Sequence, residues 1–169
     1  MANAILIKGY LDPTVCQRAY EEIEHILQGE APDMLRIVID SKEGGSLKAS
    51  SKLASLIRGL RIPTTAEIHS ARAAAAIIAI ATTTREMTAD GILEFHLGVI
   101  KMEAVDALRD PEIFNRMVAA TRGAKKFIMN FLVEKRLPLG LIRTLDASGR
   151  LTLDSAQCLE SGIVSRIIP

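Results

Sequence analysis

The sequence predicts a single α/β domain built around parallel strands. Three observations predict it. Short apolar runs alternate with helical patterns along the chain. The same Asp-Pro start, a capping side chain followed by a residue preset for a first helical turn, occurs at Asp12-Pro13 and at Asp110-Pro111. Nearly half of the residues are apolar, yet Trp is absent and aromatics make up only 4%, so the core must be aliphatic. At 169 residues the chain is long enough for one sizeable core. No repeat, linker or low-complexity tract divides it, and 1–169 reads as one domain.

The elements follow in order. Ala4 to Gly9 reads as a strand, and Asp12-Pro13 opens a helix to about Gln28. Met34 to Ser41, with Ile37, Val38 and Ile39 in succession, is a buried strand. Gly44-Gly45-Ser46 leads into a helix from Leu47 to about Leu60, with Leu53, Leu56 and Ile57 on one face. After Pro63, Thr64 to Ile68 is a short strand. Ala71 to Ala81 is a helix of little but alanine and isoleucine, whose small residues suit the centre of the domain. Glu86 to Thr88 and Gly91 to His96 read as two strands around an Ala89-Asp90-Gly91 turn. The longest helix runs from Asp110-Pro111 to about Lys135. Its apolar residues surround much of the circumference, so it calls for two packing partners, one of which can be another subunit. Asp154 caps a last helix ending at Gly162, and Ile163 to Ile168 closes as a strand.

Composition excludes several classes. Acids and bases nearly balance at +1 with no basic stripe, so nucleic-acid binding has no support. Cys16 and Cys158 have neither metal-site spacing nor a disulfide framework. The N-terminus lacks the basic-then-apolar pattern of a signal peptide, and the most hydrophobic window, Ala71 to Ala81, is too short to span a bilayer. A cytoplasmic protein without membrane association is expected.

Three features suggest chemistry. Gly44-Gly45 follows a buried strand, where adjacent glycines let backbone N–H groups face a ligand, as an oxyanion hole requires. His96 ends a strand, and imidazole as a residue type suits general-base work near neutrality. Asp146 falls in what reads as a loop after the long helix. Each has a plain structural reading as well: a turn, a strand-end imidazole, a solvated or capping carboxylate.

In order and spacing these features resemble the Clp protease proteolytic subunit family from Ile5 to Ile168. The segment Ala73-Ala74-Ala75-Ala76-Ile77-Ile78-Ala79-Ile80-Ala81, continuing through Met87 to His96, is similar to that family's nucleophile helix and histidine strand. Asp40-Ser41-Lys42-Glu43-Gly44-Gly45-Ser46 resembles its Asn-Ser-Pro-Gly-Gly-Ser loop. Leu153-Asp154-Ser155-Ala156 through Glu160-Ser161-Gly162-Ile163-Val164 is like its closing helix and strand. The resemblance implies a ClpP- or crotonase-like α/β spiral of short strands and helices with a long protruding helix. It also implies a homo-oligomeric ring that hydrolyses peptides or unfolded proteins without metal or cofactor. His96 would be the general base and Asp146 its orienting group. The N–H groups of Gly45 and Ala74, with Gly44 beside them, would form the oxyanion hole. The serine falls on Ala73, or on Ala71 if the following turn is two residues longer. Neither can attack a carbonyl.

The chain departs from the family's pattern at several positions. Lys42-Glu43 replaces one proline, His69-Ser70-Ala71-Arg72 stands where glycine and small residues are usual, and Thr82 replaces a helix-end glycine. The segment that forms axial loops in the family is largely missing, which leaves docking to an AAA+ unfoldase open. Ala73 admits three explanations: deliberate replacement of a serine, natural loss leaving a peptide-binding or structural ring component, or transfer of the nucleophile to Ser70, one helical turn away. The rival enzyme class is the crotonase-type acyl-CoA hydratases and isomerases, which also use paired backbone N–H groups.

Overall fold

In the computed structural model, which describes residues 4–29, 32–97 and 111–169, strands and helices alternate as the pattern predicts. The first seven elements are β1 (Ala4–Lys8), α1 (Pro13–Gln28), β2 (Leu35–Ser41), α2 (Leu47–Gly59), β3 (Thr64–Arg72), α3 (Ala74–Ala81) and β4 (Thr84–His96). Then come α4 (Pro111–Glu134), α5 (Leu139–Ser148), β5 (Arg150–Asp154), α6 (Ser155–Glu160) and β6 (Arg166–Ile168). The sheet order is β1-β2-β3-β4-β5, with β6 beside β4. The pairs β1/β2, β2/β3, β3/β4 and β4/β6 are parallel. The described residues fall into two compact units, one within Met1–Phe95 and Leu151–Pro169, the other within His96–Arg150.

The first unit is held by one fully buried face of the sheet. Ile5, Ile7, Leu35, Ile37, Ile39, Ala66, Ile68 and Met87 are all sealed from solvent. Burying each large aliphatic side chain is worth about 1.5–3 kcal/mol. Helix α3 is apolar all round, and all eight of its residues are buried, so it is the central helix that its small residues predict. Its end needs no glycine. Thr82 has an ordinary extended conformation, and its hydroxyl donates to the carbonyls of Ala79 at 2.7 Å and Thr84 at 2.9 Å. The expected caps are present where they are described: Asp12 accepts from Val15 N, and Asp154 forms a capping box with Gln157. The Asp110 cap lies outside the described residues. Burial pushes the Cys158 thiol up to about 12, which keeps it neutral and inert near neutrality.

Four expectations need correction. First, β3 runs on to Arg72 and α3 begins at Ala74, not Ala71; backbone pairing of Ala71 with Ser41 and Leu93 holds it in the sheet. Second, β4 is one strand of 13 residues rather than two around a turn. Its register against β3 passes from Ile68↔Met87 to Ser70↔Ile92, so the Ala89-Asp90-Gly91 stretch forms a bulge. A side chain at Gly91 would come within 2.4 Å of Met87 Cγ and 3.0 Å of the Ile68 carbonyl oxygen. Third, Asp146 is helical. Leu141, Ile142 and Leu145 give α5 its inward face, and Gly149 ends it in the left-handed conformation. Fourth, the last helix stops at Glu160, and only Arg166–Ile168 of the closing segment pairs, with Glu86–Thr88 of β4.

In the second unit α4 packs on α5, and Ile128, Phe131 and Leu132 of α4 and Ile142 and Leu145 of α5 are buried. Ile113, Met117, Phe127 and Val133 of α4 are exposed. Helical spacing puts Ile113, Met117 and Phe127 on the same face as the buried Phe131 and Ile128. That one apolar face therefore continues, open to solvent, toward the N-terminal end of α4, while Val133 stands alone on the opposite side. The exposed residues do not make up the second apolar side expected from the sequence.

Candidate active site

The corner between β3 and α3 is the most unusual piece of backbone in the first unit. Ala73, at that corner, has φ 49° and ψ −111°. For a residue with a Cβ this conformation costs about 1–3 kcal/mol and persists only where its surroundings enforce it. Here they do. The Ala73 N–H donates to the Glu94 carbonyl at 2.8 Å, and its own carbonyl accepts from Ala76 N at 3.2 Å. A sharp, strained strand-to-helix turn of this kind is how hydrolases present a nucleophile above a sheet. Ala71, by contrast, lies within β3 and is fully buried. Ser70 also lies within β3, only 4% exposed. The corner thus falls on Ala73.

The Gly44-Gly45 loop lies directly against this corner. Gly44 has φ +72°, and a Cβ there would stand 2.9 Å from the Ala73 methyl and 3.0 Å from the Arg72 carbonyl oxygen. Gly45 has φ +151°, and a Cβ there would reach 2.4 Å from the Leu11 carbonyl oxygen. Leu11 N donates to the Gly44 carbonyl and Ser46 N to that of Leu11, both at 2.8 Å, so the loop is tied to the segment before α1. Lys42 and Glu43, which replace the expected proline, are both exposed at the loop's start; Ser41 before them is buried and its hydroxyl donates to the Gly44 carbonyl at 3.5 Å. The N–H groups of Gly45 and Ala74 donate to no acceptor among the described residues. For Ala74 that follows from its place in the first turn of α3. Gly45→Ala is expected to destabilise the protein by at least ~3 kcal/mol, because both φ and the Leu11 backbone oppose a methyl there. That corresponds to a fall in melting temperature of roughly 6–12 °C, readable by calorimetry; an unchanged melting temperature would contradict this loop geometry.

The remaining two candidates lie in the second unit. His96 is its first residue, at the exposed end of β4 and two residues beyond Glu94. Asp146 is exposed on α5, and its Oδ1 holds Lys125 Nζ of α4 at 2.6 Å. No hydrogen bond joins His96 to Asp146 among the described residues. The structure thus brings Gly44, Gly45, Ala73 and Ala74 together in the first unit and ties Asp146 to Lys125 in the second.

Sequence reading missed the strain at Ala73, because alanine is read as a helix former and nothing local marks a positive φ. It also missed Glu94, a buried acid whose carboxylate accepts from Thr152 of β5 at 3.3 Å.

No sequence-family model and no curated protein matches the chain. Among solved structures, a point mutant of ClpP1 from Listeria monocytogenes is similar, with a TM-score of 0.79 and 15% sequence identity. The match covers 98% of this chain and 91% of that one. The chain therefore has a ClpP-like α/β fold. Among the described residues, no helix is long and apolar enough to cross a membrane.

Proposed function

We propose that the chain is a ClpP-like serine peptidase subunit in which Ala73 stands at the nucleophile position. It holds peptides in extended form and does not hydrolyse them as written. The observation that carries this reading is the strained turn at Ala73, pinned beside Gly44, with the Gly45 and Ala74 N–H groups left as donors. A methyl has no lone pair with which to attack a carbonyl. The two donors still suit a carbonyl oxygen, and main-chain hydrogen bonds to an added strand would supply affinity. His96 is the general base in this reading. Asp146, which holds Lys125 through Oδ1 in this structure, is its orienting group in this reading. Engineered replacement and natural loss of the serine lead to the same site. Restoring a hydroxyl by Ala73→Ser is the test, and peptide hydrolysis is its readout.

The whole chain then acts as one ClpP-like domain within a homo-oligomeric ring. The exposed Ile113, Met117 and Phe127, which share one face of α4, support this, since an exposed apolar strip is stabilised by a partner. Light scattering at micromolar concentration is expected to show a ring-sized particle; a clean monomer defeats the assembly.

A further inference from the structure

Among the described residues, two buried side-chain atoms have no hydrogen-bond partner, Ser70 Oγ and Arg72 Nε. Both sit on the last residues of β3, directly before the strained turn. Such atoms are uncommon in folded proteins, and each one left unmatched costs free energy. Their cross-strand registers place them together. Ser70 stands between Asp40 and Ile92, and Arg72 lies opposite Glu94, while Ala71 between them registers with the fully buried Leu93. Alternation along a strand therefore puts Ser70 and Arg72 on one face and Ala71 on the other. The acids closest in register are engaged elsewhere: Asp40 holds Lys8 at 3.8 Å, and Glu94 accepts from Thr152. No carboxylate among the described residues pairs with Arg72. Ser70 is only 4% exposed and Arg72 is partly exposed with its Nε buried, so the row has a sheltered hydroxyl beside an arginine that solvent reaches in part.

A guanidinium N–H donates and a hydroxyl can donate as well as accept, and a carboxylate, with two acceptor oxygens, satisfies both donors with the strongest hydrogen bonds. We propose that Arg72, assisted by Ser70, determines specificity at the peptide site by taking a carboxylate of the bound peptide. This rests on the reading of the Ala73 corner as a peptide site. The carboxylate has two sources, the free C-terminus of the peptide or an acidic side chain.

Because the chain as written does not turn peptides over, equilibrium binding is measurable directly. Fluorescence anisotropy with labelled ten-residue peptides tests the idea. One pair ends in a free acid or an amide, and a second pair, both amidated, carries Glu or Gln. A charge-assisted contact predicts a preference of roughly tenfold or more for the carboxylate member of one pair. The pair that shows it identifies the source. Arg72→Gln should abolish that preference, and Arg72→Lys should restore part of it. Ser70→Ala should reduce it. Equal binding of both members in both pairs overturns the proposal, as does a preference that survives Arg72→Gln. If Arg72→Gln does not fold, the unmodified protein's own acid-to-amide and Glu-to-Gln ratios still decide. Absence of binding by every peptide overturns this inference together with the peptide-site reading, whereas binding without discrimination overturns this inference alone.

Discussion

Ala73→Ser is expected to convert the chain into a peptidase acting on short fluorogenic peptides. The gain should be large. In a comparable hydrolase, removing the nucleophile costs roughly 10⁶ in kcat, so restoring it recovers a factor of that order if the remaining machinery is intact. The backbone at residue 73 is already in the strained conformation, held by Glu94 and Ala76, so the new hydroxyl enters a prepared turn. The two undonated N–H groups, of Gly45 and Ala74, are where charge would collect on the carbonyl oxygen. The melting temperature should change little, because Ser and Ala differ by one oxygen at this position. A well-folded Ala73→Ser protein with no hydrolysis would contradict the reading.

The second large effect concerns the proton. In the Ala73→Ser background, His96→Ala should abolish the restored hydrolysis, a loss again of roughly 10⁶. Asp146→Asn should cost about 10⁴, the scale seen when an orienting carboxylate is neutralised in a hydrolase. Asp146 also pairs with Lys125, and both side chains are about half exposed, at 53% and 46%. A pair that open is worth no more than about 1 kcal/mol. Lys125→Met therefore separates the two roles. It should leave kcat within a few-fold of the Ala73→Ser parent while Asp146→Asn does not. Equal, small effects from both substitutions would make Asp146 a structural partner of Lys125 and remove it from the chemistry.

Much of the fold is legible in the sequence because its signals are local. Asp12-Pro13 and Asp154 cap helices by reaching N–H groups within three residues, and the alternation in Leu35–Ser41 follows from the strand itself. The alanine-rich helix reads as central because eight small or aliphatic residues leave no polar face. The errors lie where distant residues decide the conformation. Ala89-Asp90-Gly91 has turn composition, yet β4 stays extended through it. Its first half pairs with β6, β5 is its neighbour beyond, and Ser155 Oγ donates to the Ala89 carbonyl at 2.7 Å. Ala71 and Arg72 read as helix and lie in β3 for the same kind of reason, since Ser41, Leu93 and Glu94 pair with them. At the site, the glycine loop can be read from composition. The conformation at Ala73 cannot, because alanine carries no signal for a left-handed turn. Arg72 reads as a departure from a family pattern, and only the sheet register shows it sharing a row with Ser70.

The most direct test of the central claim is peptide mapping by mass spectrometry after exposure to a fluorophosphonate, which marks activated serines. One adduct is expected on the Ala73→Ser protein, at residue 73, lost again on His96→Ala, and none on the protein as written. An Ala73→Ser protein that stays unlabelled, or an adduct at Ser70 in the unaltered protein, would contradict it.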